Sequence, residues 1–157
     1  MCLIEEVGKR GMQVAALDLK AMRYHYDIRA ALDALAARKA AARAKNSLSI
    51  TADVERHGQK ILEAGLEAID KGSVARQIRE DEAFHALFYD VSGNPFLRRT
   101  AEPHWRFLRR IMGEVLRHAE PPRSIWRQHQ DILEAVVRGD EQQSERLAVE
   151  AHRQLAG

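Results

Sequence analysis

Five short breaks govern what this chain can fold into. Asn46-Ser47, Lys71-Gly72-Ser73, Ser92-Gly93-Asn94-Pro95, Pro121-Pro122 and Gly139-Asp140 divide most of its length into segments with helical periodicity. Most of them carry residues that end one helix or start the next. A glycine takes the left-handed conformation past a C-terminus, and Ser, Asn or Asp accepts the free N–H groups of a new first turn. Helices joined by such short connections return antiparallel on one another. The expected fold is therefore all-α, an antiparallel bundle of about six helices.

The first helix spans about Leu17 to Lys45, with Met22, Tyr26, Leu32, Leu35 and Ala36 inward and an alanine-rich second half. Asn46-Ser47 ends it, and Thr51 reads as the cap of the second helix, whose inner positions are Val54, Ile61, Leu62, Leu66 and Ile69. Ser73 caps the third. Asn94 and Pro95 suit the cap and first position of the fourth, which runs to about His118, and Pro103 predicts a break or kink near Glu102. The fifth spans about Ser124 to Arg138. Asp140 with Gln143 resembles a capping box opening the sixth, about 141–155. Residues 1–16 differ. Leu3–Val7 and Met12–Ala15 flank Gly8-Lys9-Arg10-Gly11, which reads as a short hairpin, so the expected division is 1–16 and a helical domain over 17–157.

Composition narrows the function. The chain is 157 residues long, 45% apolar and 31% charged, which is ordinary for a water-soluble domain with one core. No apolar run approaches the roughly 20 residues of a spanning helix, and no signal-peptide segment opens the chain. Cys2 is the only cysteine, so no internal disulfide forms and a cytoplasmic location is expected. A net charge of +2 does not by itself imply nucleic-acid binding.

Three histidines interrupt apolar stripes. Ile78, Asp81, His85 and Phe88 share a face of the third helix; Ile125, His129, Ile132 and Val136 share one of the fifth; Ala148, His152 and Leu155 share one of the sixth. Polar groups on such stripes cost free energy unless something satisfies them. Each histidine alone fits a core imidazole bonded to a carbonyl. Together with Asp81, one turn before His85, the three form a candidate metal site in the bundle's interior. Three imidazoles and a carboxylate suit zinc, nickel, manganese or iron. Around an octahedral ion they leave two positions for water or an anion, whereas a closed tetrahedral zinc leaves none. His25, His57, His104 and His118 hold no consistent place on an apolar stripe.

Other chemistries lack their residues. Di-iron bundles need Glu-x-x-His motifs with partner glutamates, and none accompanies His129 or His152. There is no His-Asp dipeptide, no Gly-rich phosphate loop and no Ser or Cys nucleophile in a recognisable setting. Arg29 has two readings. It is either a surface partner of Asp33 at i, i+4, or a fork aimed into the pocket to grip a ligand carboxylate.

The combined pattern Tyr26-Asp27-Ile28-Arg29…Asp33, Asp81-Glu82-Ala83-Phe84-His85, Ser92-Gly93-Asn94-Pro95, His129…Gly139-Asp140 and His152 resembles the C-terminal effector-sensing (FCD) domain of GntR-type transcription regulators of the FadR subfamily, over about residues 20–155. The resemblance implies a helical sensor with a divalent metal on Asp81, His85, His129 and His152, and a small organic acid whose carboxylate takes the open positions. Arg29 matches the arginine of the family's first-helix motif, which implies a part in effector binding, while Asp33 replaces the usual glutamate. A homodimer is implied, and no catalysis. Leu3–Ala15 resembles the wing hairpin of the family's winged helix-turn-helix, so DNA contact is expected only through an element largely absent from this sequence. Two rival readings stand beside it: a mononuclear metallohydrolase, and a plain helical dimerisation module with buried histidines.

Overall fold

A computed structural model describes residues 11–117 and 123–156. Among these residues it contains six helices and no strand: α1 (Gly11–Lys45), α2 (Leu48–Asp70), α3 (Val74–Val91), α4 (Leu97–Arg117), α5 (Arg123–Val137) and α6 (Glu141–Ala156). The all-α bundle is the expected architecture. The hairpin is corrected in part: Met12–Ala15 lies in the opening turns of α1, whereas Leu3–Val7 falls outside the described residues, as do His118 and Pro121-Pro122.

Helix α1 is the axis of the bundle, since it packs against each of the other five. Its alanines explain how. Ala36, Ala37, Ala40 and Ala41 are fully buried, and a methyl-sized side chain lets neighbouring backbones approach closely. Larger side chains from the surrounding helices complete the core: Val54 and Leu62 of α2, Phe84 and Phe88 of α3, Leu97 and Trp105 of α4, Trp126, Ile132 and Leu133 of α5.

Most of the described breaks act as their residues require. Ser73 accepts from the Arg76 N–H at the start of α3. Gly72 and Gly139 both have positive φ, and each is followed by a 6→1 hydrogen bond that closes its helix, Ser73 N to Ala68 O and Asp140 N to Ala135 O. The Asp140 carboxylate then accepts from Gln143 N, but the Gln143 side chain turns to Arg146, so only half of a capping box forms. Asn94 and Pro95 are not the cap and first position of α4, which starts at Leu97; Asn94 accepts from Phe96 N in the turn that precedes it.

Three further details depart from expectation. Ser47, not Thr51, caps α2, and the Thr51 hydroxyl donates back to Ala44 O and Ser47 O. Leu66 is exposed, because Gly65 and Ala68 take the inward face there. Helix α4 runs unbroken through Pro103; proline forfeits one N–H bond, and packing of Trp105 and Leu108 holds the rest.

Two glycines in α2 admit large neighbours. A β-carbon on Gly58 would collide with Leu133, and one on Gly65 with the ring of Trp126. Since both Trp126 and Leu133 belong to α5, the α2–α5 spacing depends on these missing side chains. Gly65→Ala should therefore lower stability by about 1–3 kcal/mol through overpacking, despite alanine's better helix propensity. Urea denaturation checks this, and a gain in stability would show that α5 can move away freely.

Candidate metal and effector site

The inward faces of α1, α3, α5 and α6 converge on a buried polar cluster. Asp81 and His85 follow one another at i, i+4 on α3, as the stripe required, and His129 approaches from α5. One ligating atom from each of these three lies within 4.8 Å of the others. His129 Nε2 is 2.6 Å from Asp81 Oδ1, and His85 Nε2 is 3.6 Å from the same oxygen. All three residues are buried, and a buried group of this composition can hold a divalent cation.

His152 also points inward from α6, but it stands outside that grouping. Its Nε2 is 2.9 Å from Asp33 Oδ2, and its ring centroid is 5.9 Å from that of His85. Its other nitrogen settles its tautomer. Nδ1 lies 2.8 Å from the Ala148 carbonyl, which can only accept, so Nδ1 carries a hydrogen. In a neutral ring Nε2 is then a lone pair facing a carboxylate oxygen. A cation held by Nε2 would use that lone pair.

Asp33 is the hub. Its Oδ2 lies 3.1 Å from Arg29 Nη2, 3.3 Å from His85 Nδ1 and 2.9 Å from His152 Nε2, while Oδ1 accepts from the Tyr89 hydroxyl. Tyr89 in turn accepts from Trp105 Nε1 at 3.1 Å, and the Arg29 guanidinium carbon lies over the Trp105 ring, 3.6 Å from its centroid. The Arg29–Asp33 pair thus exists at i, i+4, but as a buried pair with side chains 2% and 3% exposed, not as a surface one.

Burial alone would raise the Asp33 carboxyl pKa. Arg29, then His85 and His152, outweigh it and hold the group well below the usual carboxylate range. Asp81 is likewise lowered, with burial opposed by hydrogen bonds from His129 and His85. Burial pulls His129 down despite Asp81, so it is a neutral imidazole donating Nε2–H to that carboxylate, and its buried Nδ1 has no hydrogen-bond partner. For Arg29, burial is outweighed by Asp33, and its pKa is raised. Burial, reinforced by Asp81 and opposed by Arg29, pushes the Tyr26 phenol up to about 12, and burial with Asp33 raises Tyr89, so both phenols are neutral.

Aromatic rings fix the imidazoles. Phe84 stacks on His129 at 4.2 Å with the rings nearly parallel, and Trp126 meets its edge at 5.0 Å. Trp105 lies 5.4 Å from His85, and Tyr26 lies 6.0 Å from His152. A surface groove of about 720 Å³, lined by residues such as Lys60, Ile78, Glu82 and Arg109, shares no residue with this cluster.

A family model described as the FCD domain matches residues 25–154. The chain is an FCD domain. It is the effector-binding C-terminal domain of GntR-family transcription regulators, so its role is ligand sensing in regulation. No curated protein matches the sequence. Among the described residues of this FCD domain, no helix is long and apolar enough to cross a membrane.

The structure buries all five residues singled out in the sequence, Asp81, His85, His129, His152 and Arg29; the central place of Asp33 and the contacts of Tyr89 and Trp105 were not anticipated. A signal for Tyr89 was present: Gln77, Asp81, His85 and Tyr89 repeat every four residues along α3. The other described histidines stay outside the cluster. His25 and His104 pair through their Nδ1 atoms at 2.8 Å, bridging α1 and α4, and His57 is exposed.

Removing one member of the buried pair strands the other. Arg29→Met should destabilise the domain by about 3–5 kcal/mol, and the double change with Asp33→Asn by less than the sum of the two single changes. Equilibrium denaturation of the three variants measures the coupling; strict additivity would mean the pair carries no energy of its own.

Proposed function

We propose that this FCD domain senses a small organic acid at a divalent metal held by Asp81, His85, His129 and His152, in a regulator of the FadR subfamily that acts as a homodimer. The observation carrying this reading is the convergence of a carboxylate and imidazoles from separate helices in a buried, aromatic-walled cluster.

The donor set fits the ion. Nitrogen and carboxylate oxygen without thiolate suit zinc, nickel, manganese or iron. The charges fit as well. Two buried carboxylates, Asp33 and Asp81, stand against one buried guanidinium, Arg29. Imidazoles that ligate a metal are neutral, so a divalent cation would leave the loaded cluster net positive. It would then favour one further anion, which is what a carboxylate supplies. His152 supports the same reading: its Nδ1–H is committed to Ala148 O, the second bond that orients a metal-ligating imidazole.

The metal, when bound, supplies a fixed positive charge for the acid. The chain's own residues do the rest. Phe84, Trp126 and Trp105 hold the imidazoles and exclude water, and Arg29 offers a guanidinium to the carboxylate. Because α1 touches every other helix, a ligand that moves Arg29 or Asp33 bears on the whole bundle. Differential affinity for two arrangements of the bundle is what would transmit the signal.

Purified protein should contain a divalent metal, and a chelator should lower its melting temperature. Small carboxylic acids should raise it only when metal is present, by mass action. His129→Ala should lose the metal and the acid-dependent stabilisation together. Elemental analysis and thermal-shift titration test both, and full metal occupancy in His129→Ala would remove it from the ligand set. Recovery of a chemically altered acid would point instead to a metallohydrolase.

A further inference from the structure

Arg29 uses only half of its fork. Nη2 reaches Asp33 Oδ2 at 3.1 Å, but Nε, on the same edge of the guanidinium, is buried with no hydrogen-bond partner. A carboxylate normally spans both positions with its two oxygens. Asp33 does not; its second oxygen accepts from the Tyr89 hydroxyl. A buried guanidinium with an orphaned N–H is a costly arrangement, and it is relieved by a carboxylate docking side-on across Nε and Nη2. Such a group would take Nη2 from Asp33.

The space is contested in a second sense. Asp33 Oδ2 also lies beside His85 Nδ1 and His152 Nε2, so its negative charge sits where an acid approaching those imidazoles and Arg29 must place its own. Two carboxylates sharing one guanidinium repel strongly away from water.

We propose that Asp33 is a built-in competitor of the effector. As an intramolecular carboxylate it takes one side of Arg29 and faces two of the histidines, and an incoming carboxylate displaces it from Arg29. Tyr89, itself held by Trp105, is the latch that keeps Asp33 in place. Asp33 is a positioning residue that sets affinity, not a metal ligand. The displacement links effector binding to α1, α3 and α6, the elements that Asp33 ties together. This inference rests on the metal and carboxylate reading above.

The test uses the full chain loaded with cobalt(II), whose visible absorption responds when groups around the metal exchange, and acetate as the probe. Cobalt content is measured first. Asp33→Asn should retain cobalt and reach half-saturation at an acetate concentration lower by about tenfold or more, since one repelling charge has gone. Tyr89→Phe, which leaves the buried ion pair intact, should shift it a smaller distance in the same direction. If Asp33→Asn does not fold by circular dichroism, Tyr89→Phe decides alone, and an unchanged or higher acetate requirement overturns the proposal. Loss of cobalt from folded Asp33→Asn overturns it too, by making Asp33 a ligand. Failure of the unsubstituted protein to take up cobalt would instead bring down the metal reading itself, and this inference with it.

Discussion

A guanidinium and a carboxylate, Arg29 and Asp33, are buried side by side on the helix that every other helix touches. Taking both charges out of water costs several kcal/mol for each ion, so the surroundings must supply compensating contacts. They do so from three sides. Helix α3 contributes His85 and Tyr89, α4 contributes the Trp105 ring and its N–H, and α6 contributes His152. The packing of the bundle and the polarity of its centre are thus one problem with one solution. The helices meet where they do because the pair needs partners, and the imidazoles lie where they do because those helices meet.

The cluster has two connected halves. Asp81 with His129 forms one, Asp33 with Arg29 and His152 the other, and His85 faces both carboxylates. This position makes His85 the physical link between the two halves. A change at either carboxylate is felt at the same ring.

Much of the scaffold was legible from the chain because capping is local chemistry. Ser73, Gly72, Gly139 and Asp140 act within one turn of themselves, and their roles in the fold are those their types dictate. Where two local candidates competed, local reasoning could not choose. Ser47 and Thr51 both suit an N-cap, and the choice of Ser47 follows from where α1 ends against α2. Pro103 likewise reads as a breaker in isolation, yet the burial of Trp105 and Leu108 carries α4 through it. Met12–Ala15 alternates as a strand would but continues into the helix that follows.

The sequence by itself determined the helical class, most of the helix ends and the inward faces of Asp81, His85, His129 and His152, because a period of 3.6 assigns faces without reference to partners. Only the tertiary structure decided which of those faces meet. It drew Asp81, His85 and His129 into one group, gave His152 to Asp33, and turned Arg29–Asp33 from a surface pair into a buried hub. The reason is physical: an i, i+4 ion pair has the same spacing on a wet face as on a dry one. What surrounds it is set by residues far away in sequence, here Tyr89, Trp105 and His152.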